Sequence, residues 1–187
     1  MGRVPYREYG DERGMASPFQ RDKVRLVFDA MDGDGDGALR ETDFEALARR
    51  WAAVRVAGDE ERLLAVMRGW WSTLARHSRT ADAVAIDDVL TVVDLLKAMP
   101  EAVTATADTM FEAVDENRDG LISPAEYRRM IEAWRGGPAE VGDTFALLDS
   151  DGDGAISREE FAAHWYEFWA GDDPAAPGSR VFGRVPG

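Results

Sequence analysis

Three stretches of this 187-residue chain share the pattern Asp-x-Asp/Asn-x-Asp-Gly, followed two positions later by an aliphatic residue. They begin at Asp32, Asp115 and Asp149. Oxygens at alternating positions suit a hard divalent cation, and calcium takes about six to eight of them at roughly 2.3–2.6 Å. The sixth position must turn sharply, and glycine stands there each time. The repeat therefore predicts three twelve-residue loops that bind a cation.

Two of the loops match the whole calcium pattern, in which positions 1, 3, 5, 7, 9 and 12 supply the ligands and position 7 offers its backbone carbonyl. In loop 149–160 the predicted ligands are Asp149, Asp151, Asp153, the carbonyl of Ala155, Ser157 and Glu160. In loop 115–126 they are Asp115, Asn117, Asp119, the carbonyl of Leu121, Ser123 and Glu126. We expect a calcium ion in each.

The first loop, 32–43, departs from the pattern twice. Its predicted ligands are Asp32, Asp34, Asp36, the carbonyl of Ala38 and Asp43. Position 12 is an aspartate, which is one methylene shorter than glutamate and reaches the ion less easily with both oxygens. Position 9 is Arg40, which cannot be a ligand. It also hinders the water molecule through which position 9 often coordinates the ion. We expect weaker calcium binding here, or greater tolerance of magnesium, whose octahedron does not need a bidentate acid.

Helices are predicted on both sides of each loop. Apolar residues precede each loop at helical spacing, and an aromatic residue stands at the thirteenth position: Phe44, Tyr127 and Phe161. Ser17 followed by Pro18 is a favourable helix start. Ile122 and Ile156, at position 8 of their loops, are expected to pair as two short strands. Each unit is thus predicted to be helix, acidic loop, helix.

A fourth unit without chemistry is predicted between the first two loops. Placing Ile86 at the aliphatic eighth position sets this loop at 79–90. Its ligand positions would then be Arg79, Ala81, Ala83, Ala85, Asp87 and Leu90, which cannot bind a hard cation. We expect this unit to keep the helix–loop–helix shape but not to bind a metal ion.

Composition excludes several classes of function. The chain has 36 acidic and 22 basic residues and a net charge of −14, which disfavours binding to nucleic acid or to anionic lipid. Cysteine is absent, so disulfides and thiolate metal sites are excluded. No apolar run approaches the roughly 18 residues of a membrane span. Segment 1–17 has no periodicity and is expected to be a disordered tail, and the cytoplasm is the default location.

These motifs resemble EF-hand proteins and, more narrowly, the calerythrin type of bacterial relative of the invertebrate sarcoplasmic calcium-binding proteins. The similarity rests on three features. Metal-binding loops are retained in units one, three and four and lost in unit two. The spacing is long between the first two units and short thereafter, and residues 171–183 are similar to the ending of that group. It implies an all-α fold in which four units form two pairs, 18–100 and 101–170, packed into one compact globule. It also implies that tail 171–187 folds back onto the core.

The resemblance implies a cytosolic calcium buffer or transporter with calcium as its cofactor. A sensor that binds a partner protein is the alternative, but scattered methionines and six tryptophans favour a closed core over an adaptable groove. A small-molecule carrier of photoprotein type is a minor alternative that would need a large cavity. No nucleophile and base are apparent, so no enzyme is expected. We expect a monomer with no nucleic-acid or membrane partner; a protein partner stays open.

Overall fold

Helices occupy most of the residues described by the computed structural model, which are 16–56, 59–80 and 82–183. Residues 1–15 of the expected N-terminal tail lie outside them. In chain order the helices are α1 (Pro18–Met31), α2 (Glu41–Val54), α3 (Glu60–Ala75), α4 (Ile86–Lys97), α5 (Pro100–Val114), α6 (Pro124–Arg135), α7 (Gly142–Leu148) and α8 (Arg158–Trp169). Two short strands, β1 (Leu121–Ile122) and β2 (Ile156–Ser157), and a 3₁₀ helix, Pro177–Arg180, complete the described elements. None of these helices has the length and apolar character needed to cross a bilayer.

Helix α1 shows how the local sequence sets an element. Ser17 caps it by accepting a hydrogen bond from the Gln20 N–H (3.0 Å), and Pro18 occupies the first turn, where no N–H is needed. Its apolar residues recur every three or four positions, so Val24, Val27 and Phe28 all lie on one buried face. The helix ends where the first acidic loop begins.

The helix–loop–helix units pair through their loops. Strands β1 and β2 are antiparallel and place Ile122 opposite Ile156, as predicted. In the N-terminal pair, Leu39 and Val84 exchange two backbone hydrogen bonds of 2.9 Å. The prediction that Ile86 holds the eighth position is therefore wrong, because Val84 holds it and Ile86 already begins α4. The degenerate loop runs over 77–88, two residues earlier than 79–90.

One continuous apolar core joins the two pairs. Helix α2 packs on α3 and α6, and α5 packs on α8. The aromatic residues predicted at the thirteenth loop position are buried, as are Trp51, Trp134 and Phe168, which share one position on their exit helices. The predicted all-α fold with four units in one compact globule is confirmed.

The C-terminal segment lies against this core. Val181 and Phe182 are buried, and the Phe182 ring centre lies 4.8 Å from that of Trp134 and 4.9 Å from that of Phe168. The Tyr127 hydroxyl donates to the Val181 carbonyl (2.8 Å). Gly178 permits the close approach to α8, since a Cβ there would collide with the His164 carbonyl.

Helix α1 is tied to the end of α8 by a buried lysine. The Lys23 Nζ donates to the carbonyls of Glu167 (3.0 Å), Phe168 (2.6 Å) and Gly171 (2.8 Å), which lie in the last turn of α8 and just beyond it. Burial lowers the pKa of Lys23 to about 8, although Asp172 opposes the shift. A charged residue of the first unit thus completes the last helix of the fourth.

Candidate metal centres

Each acidic loop is anchored at its first residue. The position-1 aspartates Asp32, Asp115 and Asp149 cap their entering helices through backbone hydrogen bonds of 2.8–2.9 Å to the residue four positions earlier. Their carboxylates then accept the N–H of the glycine at position 6 at 2.9–3.0 Å. Those glycines have φ angles of 79°, 85° and 92°, which only glycine adopts at low cost. The loop therefore winds around its own first carboxylate.

In loop 149–160 this winding gathers three acids. One carboxylate oxygen from each of Asp149, Asp151 and Asp153 lies within 4.8 Å of the other two. Two oxygens on opposite sides of a calcium ion are about 5 Å apart. The donors are hard oxygens at a separation that fits one such ion. The Ala155 N–H is bonded to Asp153 Oδ1 (2.9 Å), so the adjoining turn of backbone is held in place.

Loop 115–126 has similar geometry, but the amide of Asn117 replaces the aspartate at position 3. Asn117 Oδ1 accepts the Asp119 N–H at 3.0 Å, just as Asp151 Oδ1 accepts the Asp153 N–H at 3.1 Å. The Leu121 N–H is bonded to Asp119 Oδ1 (2.9 Å). The amide oxygen is thus held like the aspartate oxygen of the last loop, with one negative charge fewer.

The glutamates at position 12 close these two loops. Glu160 Oε2 accepts the N–H (2.8 Å) of Ser157, whose hydroxyl caps α8 in return. Its other oxygen reaches across to the Ser150 N–H (2.7 Å). Glu126 does the same with Ser123 (2.8 Å) and Glu116 (2.9 Å). Partial burial raises the pKa of Glu160, but the hydrogen bonds outweigh it and leave that pKa below its usual value.

In loop 32–43 the acids gather but the closure is incomplete. Asp32, Asp34 and Asp36 bring their oxygens within the same 4.8 Å. Asp43 accepts only the Arg40 N–H (2.7 Å), and among the described contacts it makes no bond across the loop. The predicted shortfall of one methylene thus has a visible effect.

Arg40 lies on the ligand positions of the same loop. Its Nη1 donates to Asp36 Oδ2 (2.6 Å) and is 3.5 Å from the Ala38 carbonyl. The hydrogen bond from Arg40 lowers the pKa of Asp36 below its usual value. A guanidinium has no lone pair to give a metal, so here it competes for acceptor oxygens.

The degenerate loop replaces a metal with hydrogen bonds. Asp88, at position 12 in the observed register, accepts the Ala85 N–H (3.1 Å), the Ser78 hydroxyl (3.2 Å) and Arg79 Nε (3.1 Å). Burial raises the pKa of Asp88, but these donors together lower it below its usual value. Sequence reasoning missed this role; an acid at position 12, preceded by Val84 at position 8, was the available signal.

His164 connects the last loop to the tail. Its Nε2 lies 2.9 Å from the Leu148 carbonyl, directly before Asp149, and its Nδ1 lies 3.1 Å from Glu167 Oε2. The same Glu167 oxygen accepts the Gly178 N–H (2.7 Å). This histidine therefore forms a polar link between the last loop and the tail that the spacing of residues does not reveal.

Comparisons with known sequences identify related calcium-binding proteins. A family model described as an EF-hand domain pair matches residues 105–166. Calerythrin of Saccharopolyspora erythraea is 25% identical over 84% of this chain and 96% of its own length. The rice (Oryza sativa subsp. japonica) protein named "Probable calcium-binding protein CML21" is 30% identical over 75% of this chain and 77% of its own length.

Solved structures share the fold at low identity. The calcium-loaded apo form of the coelenterazine-binding protein of Renilla muelleri has a TM-score of 0.70 at 19% identity and covers 91% of this chain and 100% of its own. A sarcoplasmic calcium-binding protein from amphioxus has 0.67 at 19%, with coverage of 92% and 100%. A Streptomyces coelicolor calcium-binding protein, described in terms of prokaryotic calcium-mediated regulation, has 0.64 at 21%, with coverage of 82% and 99%. The chain belongs to the EF-hand family of calcium-binding proteins, and it resembles calerythrin and the sarcoplasmic members within it.

Proposed function

We propose that this protein is a cytosolic calcium buffer that binds up to three ions. The observation that carries the proposal is the gathering of the Asp149, Asp151 and Asp153 oxygens within 4.8 Å, which recurs at 32–36. The proposed ligands are Asp32, Asp34, Asp36, Ala38 and Asp43 in the first loop, Asp115, Asn117, Asp119, Leu121, Ser123 and Glu126 in the third, and Asp149, Asp151, Asp153, Ala155, Ser157 and Glu160 in the last. A bound ion supplies positive charge to the acids of each loop, of which only Asp36 has an arginine partner among the described ion pairs.

The choice of ion follows from the length of the acid at position 12. Glu126 and Glu160 are long enough to reach across their loops, and a flexible shell with a bidentate acid suits calcium better than magnesium. Asp43 does not reach across, which favours a weaker first site that tolerates magnesium.

A buffer is favoured over a sensor because the apolar interior is already occupied. A sensor must expose an adaptable apolar groove when calcium binds. Here the rings of Trp51, Trp134 and Trp165 pack against other aromatic rings, and Phe182 of the tail packs on Trp134 and Trp165. Sarcoplasmic calcium-binding proteins are among the relatives of the chain, which supports the same choice.

A calcium sensor is the second candidate, because one apolar depression reaches the surface. It is lined by residues of α3, α4, α5 and α8, including Trp70, Leu74, Val92, Leu96 and Trp169. A partner helix could lie there if calcium widened it. A hydrophobic dye distinguishes the two: its fluorescence falls on adding calcium to a buffer and rises with a sensor.

The alternative function, a carrier of a small molecule, has less support. Its cavity would have to measure several hundred cubic ångströms, since ligand pockets are about 300–1,000 Å³. The apolar space among the same four helices measures about 90 Å³, and a larger one of about 360 Å³, between the ends of α2 and α6, opens more widely to solvent.

Calorimetric titration of the purified chain tests the proposal. We expect two strong calcium sites and a third, weaker one, with magnesium competing chiefly at the third. Asp149→Asn, at the position that is aspartate in all three loops, should remove one strong site, whereas Asp143→Asn, an equal charge change on the exposed surface of α7, should leave all three. Absence of calcium binding would refute the proposal, and three equal sites would refute the distinction between the loops.

A further inference from the structure

Position 9 differs among the three acidic loops. Ser123 and Ser157 hold it in the last two, and each caps its exit helix through its hydroxyl. Arg40 holds it in the first, where its side chain turns back over the loop instead. The same position therefore carries an oxygen ligand in two loops and a positive charge in the third.

The guanidinium lies on two proposed ligands at once. Its Nη1 is 2.6 Å from Asp36 Oδ2, at position 5, and 3.5 Å from the carbonyl oxygen of Ala38, at position 7. Short contacts of this kind are charge-assisted hydrogen bonds. A divalent ion needs the same oxygens, and a positive charge a few ångströms away opposes its entry.

The degenerate loop has a related pair. Arg79 Nε contacts Asp88 at 3.1 Å, beside ligand positions that have become alanine. In loops 115–126 and 149–160, by contrast, the described ion pairs involve none of the proposed ligand carboxylates. An arginine on a ligand-position acid is thus a feature of the N-terminal pair alone within the described chain.

We propose that Arg40 is an internal competitor for the metal ion at the first loop. Its guanidinium must leave Asp36 before a divalent ion binds, so this loop fills only after the other two. The inference rests on the proposed function of the loops, but it assigns the weakness of the first site to a particular contact rather than to the short acid at position 12 alone.

The glycine at position 6 offers a separate signal for each loop. Its N–H is bonded to the position-1 carboxylate in all three loops, at 2.9 Å for Gly37, 3.0 Å for Gly120 and 2.9 Å for Gly154. Nuclear magnetic resonance of the ¹⁵N-labelled full chain, titrated with calcium chloride, therefore follows each site through its own amide.

The decisive variants are Arg40→Ser, which copies the other two loops, and Arg40→Gln, which keeps the length without the charge. Each should lower the half-saturating calcium concentration at Gly37 by about tenfold, because removing the charge frees two oxygens and ends the repulsion. Arg49→Ser is the matched control, since it removes the same charge from α2, where Arg49 pairs with Glu45 (2.9 Å). It should change the midpoint by less than about twofold.

Two results would overturn the inference. One is a shift with Arg40→Ser and Arg40→Gln no larger than with Arg49→Ser. The other is Asp43→Glu alone bringing Gly37 to the midpoint of Gly120 and Gly154, which would assign the weakness to the short acid. If the amide signals of Gly120 and Gly154 do not change when calcium is added, the proposed function is wrong instead.

Discussion

At the residue scale, the metal loops depend on reciprocal hydrogen bonds at the start of each exit helix. Ser157 and Glu160 satisfy each other's backbone N–H groups, and Glu160 also holds the far side of the loop through Ser150. These contacts hold the two ends of the loop together. Asp43 lacks the second contact, so one methylene separates a closed loop from an open one.

Glu160→Asp should make the last loop behave like the first. The shorter acid cannot reach the Ser150 N–H and an ion together, and we expect calcium binding at this loop to weaken about tenfold or more. The Gly154 amide midpoint in a calcium titration measures it. Glu159→Asp, the same change at the exposed neighbouring position, is the control, and equal effects of the two changes would contradict the argument.

At the scale of elements, the tail and α1 complete the last unit from outside. Phe182 packs among the rings of Trp134, Trp165 and Phe168, and Lys23 satisfies the end of α8. Helix α8 thus depends on residues from both ends of the chain. Its packing is a property of the whole molecule rather than of one helix–loop–helix unit.

Phe182→Ala should destabilise the calcium-loaded protein by about 3–5 kcal/mol, because it empties a buried aromatic site. Denaturant unfolding at saturating calcium measures the loss. Tyr166→Ala, on the partly exposed side of α8, provides a matched loss of an aromatic ring and should cost far less. A small effect of Phe182→Ala would mean that the tail is dispensable for the core.

At the scale of the whole molecule, acidic loops and a shared core respond together to metal. Each ion that binds only the folded state adds about 2.7 kcal/mol at a concentration 100 times its Kd. Three such ions rival the roughly 5–15 kcal/mol stability of a typical domain. The ion-free carboxylates also repel one another in each loop.

Removal of calcium with a chelator should therefore loosen the packing. The near-ultraviolet circular dichroism of the buried tryptophans should fall and recover when calcium is restored. Far-ultraviolet spectra recorded in parallel separate loosened packing from loss of helix. A near-ultraviolet spectrum that does not change when chelator is added would contradict this expectation.

The buried Lys23 predicts a pH dependence of the same stability. Its pKa is lowered from 10.5 in the unfolded chain to about 8 by burial, with Asp172 and Glu167 opposing the shift and Lys97 adding to it. Between these values the unfolded chain holds a proton that the folded chain has released. This contribution to the unfolding free energy therefore grows as pH rises from about 8 towards 10 and is lost as pH falls through 8.

Lys23→Met should abolish that increase, whereas Lys97→Met, at the only other lysine in the chain, should retain most of it, because burial rather than Lys97 is the largest cause of the lowered pKa. Denaturant unfolding at fixed calcium across this pH range measures the difference between the variants. Parallel curves for the wild type and Lys23→Met would show that the lysine keeps its ordinary pKa.

The sequence by itself determined the three acidic loops, the helices around them and the family. Those features depend on spacing within about twelve residues, so alternating aspartates, the glycine turn and the helical face can be read locally. The same local reading identified Asp43 and Arg40 as departures.

Only the tertiary structure decided how distant parts meet. The register of the degenerate loop was predicted two residues too late, because the pairing of Leu39 with Val84 depends on how two units dock. Lys23 lies 144 residues from Glu167, and nothing near it in the chain indicates its three carbonyl partners. The contact of Arg40 with Asp36 depends on how the loop winds. Such contacts arise when packing brings together groups whose positions in the sequence give no sign that they will meet.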